Sequence, residues 1–170
     1  DYRAFNNVAA MEFAKGNLDA TRTWVNRALS VNPNAGEAQS NLALAALKEG
    51  KLQEAEGYMA KAGNSNDLNR VQGAVNFVKG NYKKAAVDYK DVNNNMAALA
   101  QIMAKDYSAA RATFNQIGEN GDALTDYLHA VLSAREGNKF AAKSNLSDAI
   151  EKDPSLKQYA DDDLEFANIK

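Results

Sequence analysis

The chain of 170 residues has 20 basic and 22 acidic side chains, a net charge of −2, and 45% hydrophobic residues, enough to bury one ordinary core or to build one elongated array. Its charges are mixed along the length, which gives little drive toward nucleic acid or anionic lipid, and the absence of cysteine excludes disulfides, zinc–thiolate sites and iron–sulfur clusters. No stretch approaches the roughly 20 apolar residues of a membrane span, no signal peptide is visible, and the opening at Asp1 inside an apparent helix reads as a mature or excised domain.

In chain order, AFNNVAAMEFA (4–14) has the periodicity of an amphipathic helix, followed by a turn at Gly16 and a second helical run in KGNLDATRTWVNRA (15–28), which Pro33 ends. The same pair recurs as AQSNLALAALK (38–48) with EGKLQEAEGYMAKA (49–62), and as LNRVQGAVNFV (68–78) with KGNYKKAA (79–86). A fourth first helix is predicted over 96–104, about 14 Å long at 1.5 Å per residue, ahead of KDYSAARATFNQI (105–117). LTDYLHAVLSA (124–134) and EGNKFAAKSNLSDA (136–149) make the fifth pair, Pro154 follows, and SLKQYADDDLEFANIK closes the chain. Taken alone, KGNYKKAA could be a phosphate-cradling loop, but its relatives keep the turn and the later small residues while the lysines vary. Gly80 is therefore read as a helix-to-helix turn.

Turns fall at Gly16, Gly50, Gly80, Lys105 and Gly137, and twelve residues after each come Ala28, Ala62, Val92, Ile117 and Ala149. That constant interval predicts one length for every second helix, to position 92 in the third pair. Ala9, Ala43 and Gly73 stand in the middle of the first helices, where two backbones approach closely. One pair cannot hide its apolar faces, so neighbouring pairs must stack.

These residues resemble the tetratricopeptide repeat, a 34-residue helical hairpin. Gly16 to Gly50 and Ala28 to Ala62 both have that spacing, and Asn7, Val8 and Ala9 match Asn41, Leu42 and Ala43. The resemblance implies an all-α, right-handed superhelical solenoid in a single domain, with units of about 2–35, 36–65, 66–92, 93–120 and 121–154 and a capping helix over 155–170. The spacing then shortens to 30 and to 25 residues before returning to 32, with all the loss before the turns. A local change of pitch is expected there. In the cap, Leu156, Tyr159, Leu164 and Phe166 are expected to face the last repeat, with Asp161, Asp162 and Asp163 at a helix N-terminus; they lack the spacing and glycine of a calcium loop.

No catalytic constellation is found. His129 has Asp126 three residues away but no nucleophile placed with them, and no serine stands in a strand–turn–helix context. Trp24, Tyr89 and Phe114 occupy corresponding places on second helices, which suits packing better than base stacking. The expectation is a protein without enzymatic activity, cofactor or metal.

In the resembled family the first, or A, helix of each pair lines a groove. Its groove positions correspond here to Arg3, Phe13, Leu44, Leu47, Lys48, Arg70, Phe77, Tyr127 and Arg135, with Asn7 and Asn41 beside them. Some members hold a peptide C-terminal carboxylate with a cation and two asparagines, which Arg3, Asn7 and Asn41 match, although the third unit has Asp67 and Val71 where further cations belong. The implied function is a scaffold whose groove takes an extended peptide or a partner's helix; the alternative is a structural module packing on the rest of a longer envelope protein or on a second copy. Partners are expected to be protein or peptide, with no nucleic acid and no membrane insertion. Residues 94 to 107 and 159 to 167 also resemble C-terminal repeat regions of exported envelope proteins of some Gram-negative bacteria, which implies a periplasmic or outer-membrane-associated setting, with the cytoplasm as the alternative.

Overall fold

The computed structural model describes residues 1–65 and 67–169. Among them are eleven α-helices and no strand: α1 (Tyr2–Ala14), α2 (Leu18–Val31), α3 (Gly36–Lys48), α4 (Leu52–Ala62), α5 (Leu68–Val78), α6 (Tyr82–Asp88), α7 (Asn95–Met103), α8 (Tyr107–Ile117), α9 (Ala123–Arg135), α10 (Lys139–Lys152) and α11 (Leu156–Asp162). Two short 3-10 turns, Gly118–Asn120 and Leu164–Phe166, complete the regular structure.

All five predicted turns are built alike. Gly16, Gly50, Gly80, Lys105 and Gly137 adopt φ of 81°, 75°, 76°, 63° and 78°, the left-handed conformation that ends a helix. At each, the N–H of the turn residue bonds the carbonyl three residues back and the next N–H bonds the carbonyl five back, as in Gly50 to Leu47 and Lys51 to Ala46. These ten bonds all measure 2.8–3.0 Å. Lys105 is the one non-glycine residue with positive φ among the described residues, and its Cβ makes that conformation costly.

Equal turns put equal positions of A and B helices in contact. Counting from the turn, the fourth residue before it meets the eighth after it, and in the last three hairpins this pair is a hydrogen bond. Asn76 donates to Asp88 at 2.7 Å, Thr113 to Gln101 at 2.8 Å and Asn145 to Ser133 at 3.3 Å. The first two hairpins place Trp24 and Tyr58 at the later position instead, both packed against apolar cores.

Successive hairpins are tied by a second register rule. The sixth residue after one turn pairs with the residue just before the next turn: Arg22 with Glu49, Glu56 with Lys79 and Arg111 with Glu136. The middle pair has its charges reversed. At the remaining junction the two positions hold Ala86 and Ala104, which carry no charge.

That junction is where the chain divides into two compact units, Asp1–Tyr89 and Lys90–Lys170. In unit 1, α1/α2, α3/α4 and α5/α6 are the hairpins, with α1 beside α3 and α3 beside α5. Its interior is rich in alanine: Ala9, Val25, Ala28, Ala38 and Leu42 form one cluster, with the Phe5–Trp24 ring pair on its edge, and Ala43, Leu44, Ala46, Ala55 and Val71 form the next. In unit 2, α7/α8 and α9/α10 pack with the C-terminal segment around Ile102, Phe114, Leu128, Leu132 and Phe166. Asn94, Asp106, Asp122 and Asn138 cap the helix N-termini through their side chains, Asp122 in a capping box with Thr125.

Three expectations are corrected. The third B helix ends at Asp88 rather than at Val92, because Tyr89, only 1% exposed, turns into the interior against Gly73. A Cβ on Gly73 would lie 2.7 Å from that ring, so the glycine makes room for the side chain that closes unit 1. Burial pushes the Tyr89 phenol up to about 12. In the tail, Tyr159 and Leu164 face solvent; Phe166 packs inward as expected, and Ala160 and Ile169 join it on the apolar side. Asp161 and Asp162 lie at the C-terminal end of α11, not at an N-terminus, while Asp163 caps the following 3-10 turn by accepting from the Glu165 N–H at 2.9 Å.

Lys105→Gly is expected to raise stability by about 1 kcal/mol, because glycine removes the left-handed penalty at a cost in unfolded-chain entropy that is smaller. Urea denaturation followed by circular dichroism measures it, and a fall in midpoint would contradict the strain argument. Gly73→Ala is expected to cost about 1–3 kcal/mol from overpacking on Tyr89. Gly57→Ala, on α4 in open space, should instead gain about 0.5–1 kcal/mol of helix propensity. Equal effects of the two substitutions would show that the Gly73–Tyr89 contact is not what sets the sign.

Candidate interaction site

The A helices of unit 1 bring three half-exposed apolar residues from successive hairpins to one cluster. Phe13 of α1, Leu47 of α3 and Ala74 of α5 all lean on the core formed by Ala43, Leu44, Ala46, Ala55 and Val71. Turn spacing is the local cause, since Phe13 and Leu47 both stand three residues before a left-handed turn. The Lys48 ammonium lies 5.2 Å from the centre of the Phe13 ring, a cation–π contact at the edge of this strip. Phe77 of α5 is also half-exposed and meets Tyr82 of its own hairpin edge to face, centroids 5.3 Å apart. Arg3 and Asn7 are exposed on α1, and Arg70 is half-buried on α5.

Two residues of the expected groove lie in the interior. Leu44 is 7% and Asn41 4% exposed, and the Asn41 amide donates to Asn6 Oδ1 at 2.8 Å. The asparagine that the resemblance offers for a carboxylate clamp therefore joins α3 to α1, with Asn6 rather than Asn7 as its partner. Close packing of α3 against both α1 and α5 seals it: of the thirteen residues of α3, nine are buried, so little of that helix is left for a ligand.

A charged network braces the back of this surface. Arg22 donates from Nε and Nη2 to the two carboxylate oxygens of Glu49, at 3.0 and 2.8 Å, and its Nη1 stands 3.0 Å from Glu54. The Arg22 guanidinium, aided by Lys51, holds the Glu49 carboxyl down at about 2, and the carboxylates in turn raise the Arg22 guanidinium. The fork fixes α2 against the α3–α4 turn, a positioning role for the hairpin that carries Leu47 and Lys48.

In unit 2 the expected groove residues Tyr127 and Arg135 are engaged by the chain itself. Tyr127 donates its hydroxyl to Asp163 Oδ2 at 2.7 Å; burial first, and then this carboxylate, raise its phenol. Arg135 donates from Nε to Glu165 Oε2 at 2.9 Å and from Nη2 to Glu165 Oε1, while its Nη1 reaches the Ile102 carbonyl at 3.1 Å. Pairing with Glu165 raises the guanidinium. Between these two polar contacts Phe166 is fully buried, its ring edge to face with Tyr127 at 5.3 Å. Phe166 packs on the last hairpin, the side expected of it, whereas the contacts of Asp163 and Glu165 were not expected; acids alternating around Leu164 ahead of an aromatic were the available signal, masked by the run of three aspartates.

His129 is half-buried and stacked on Phe114, centroids 4.8 Å apart and planes at 19°. Burial lowers its pKa, with Asp126 opposing, and Asp126 is itself paired with Lys152 at 2.8 Å. The imidazole serves packing between α8 and α9. Among the described residues there is no group of three His, Cys, Asp or Glu that could hold a metal ion, and no helix long and apolar enough to cross a membrane.

No protein-family model matches the sequence, and comparison with curated proteins finds no match. Solved structures do match. A thermophilic TPR protein of Thermus thermophilus superposes with a TM-score of 0.67 at 20% identity, over 95% of this chain and 98% of that one. A tetratricopeptide repeat protein of Parabacteroides merdae superposes with a TM-score of 0.65 at 16% identity, over 93% of this chain and 69% of that one. The likeness at these identities is one of fold, and the chain adopts the all-α tetratricopeptide-repeat fold.

Proposed function

We propose that the protein is a non-enzymatic interaction scaffold and that the inner face of unit 1 binds an extended segment or helix of another protein. The observation that carries this reading is the convergence of half-exposed Phe13 and Leu47, from adjacent A helices, on one core cluster, with the Lys48 cation beside them. Such a strip offers apolar burial at its centre, and Arg3, Lys48 and Arg70 offer orientation at its margin. Phe77 extends the strip along α5. Asn41 and Leu44 enter only as its floor, so the binding surface is shallower than the full set of family positions implies. A periplasmic or outer-membrane-associated setting belongs to the same proposal and rests on the resemblance of residues 94 to 107 and 159 to 167.

Anchors at the centre of an interface carry most of its energy. Immobilised wild-type protein should therefore retain partners from a native envelope extract that Phe13→Ala/Leu47→Ala and Lys48→Glu/Arg70→Glu variants lose, each by tenfold or more in quantitative mass spectrometry. Circular dichroism and melting confirm beforehand that each variant is folded. Recovery of the same proteins in the same amounts by all three would reject this face as the binding surface.

A further inference from the structure

The inner face of α9 holds a peptide already, and it is the chain's own. Residues 163–166, Asp-Leu-Glu-Phe, meet this helix through three specific contacts: Asp163 on the Tyr127 hydroxyl, Glu165 in the fork of Arg135, and Phe166 in the apolar space beside Tyr127. Leu164, between the two acids, is 87% exposed and contributes none of them. Phe166 and Ile169 pack with Val131 of α9 in the unit 2 core, and Tyr127 and Ala134 lean on the same cluster. Tyr127, Val131 and Arg135 are separated by four residues each and so share one stripe of the helix.

Two features mark this as recognition rather than simple capping. Apolar burial alone would close the end of an array, yet here two carboxylates are read by two dedicated donors. Arg135 is also held from behind by the Ile102 carbonyl, so its fork stands preoriented toward the acid. The contact is closed by a segment that follows the short helix α11 and whose intervening side chain is free of it.

We propose that the α9 face is a recognition site for a protein segment of the form acid–x–acid–aromatic, occupied in cis by residues 163–166 and open to a partner segment of the same chemistry by exchange. This rests on the reading of A-helix inner faces as the binding surface, carried to unit 2. A tethered segment competes at an effective concentration in the millimolar range, so a partner must either bind better than the tail or meet a chain whose tail is weakened. The site thereby admits only segments that replace both carboxylate contacts and fill the aromatic space.

The probe is a fluorescein-labelled peptide with the sequence of residues 162–169, titrated by fluorescence anisotropy into the full chain. Wild type should bind it at least tenfold more weakly than an Asp163→Asn/Glu165→Gln variant, in which both clasps of the tail lose their charge and are weakened while Phe166 is kept. Adding Arg135→Gln to that variant should cut binding by at least tenfold, and a peptide with its acids changed to amides should bind at least tenfold more weakly. The melting temperature of the variant, lowered by the loosened tail, should rise with added peptide and not with the amide control. Equal binding to wild type and variant, or binding unchanged by Arg135→Gln, overturns the proposal. Should the variant unfold, wild type with excess peptide still decides: the peptide must slow hydrogen exchange in α9 or displace a spin label placed at position 164, and failure to do either also overturns it. The scaffold reading is tested on unit 1 with native proteins and this one on unit 2 with a synthetic peptide, so each can fail alone.

Discussion

Everything in this fold hangs on one backbone conformation, the left-handed residue that ends each A helix. Because it is satisfied by the same two carbonyls every time, it fixes the axial and rotational offset between the two helices of a hairpin. Side chains then only need to suit that offset. Two solutions are used at the position where A and B helices cross: a large aromatic in the first two hairpins, and a polar hydrogen bond in the last three. The polar version is directional and specifies register; the aromatic version buries more surface and tolerates more slip. Lys105 shows how firmly the turn is imposed, since a residue with a Cβ is carried into the conformation by the bonds around it.

The second dependency runs between hairpins. Ion pairs recur at one matched pair of positions, and their partial exposure limits each to about 0–1 kcal/mol. Their value lies in choosing which neighbour fits, and reversal of sign in the middle pair discourages hairpins from stacking in the wrong order. The missing pair, Ala86 and Ala104, coincides with the shortest turn-to-turn interval and with the boundary of the compact units. Unit 1 finishes there with Tyr89 against Gly73 in place of another full helical turn.

Much of the architecture was legible because glycine and alanine report backbone requirements directly. Gly16, Gly50, Gly80 and Gly137 announce positive φ, and Ala9, Ala43 and Gly73 announce close approach; the constant twelve-residue interval then identified Lys105 as a turn without any glycine there. The third B helix was misread at its end because an interval counts residues and does not say when an aromatic has a hole to fill. The candidate site was legible as a face but not as a surface. Ala10 and Leu44 hold matching positions on successive A helices, yet α3, with a helix on either side, buries Leu44, while α1, with only one, leaves Ala10 exposed. In the tail, hydropathy favoured Leu164 as a packing residue. Its actual exposure follows from the 3-10 turn, which points Phe166 inward and Leu164 away.

The tail also gives the two units different histories during synthesis. Unit 1 owns every side chain of its core by Tyr89, so it can close while the rest of the chain is still being made. Unit 2 cannot, because Phe166 and Ile169 belong to the cluster that holds α7, α8, α9 and α10 together. Without Phe166 and Ile169, therefore, the apolar cluster that α7, α8, α9 and α10 share is incomplete.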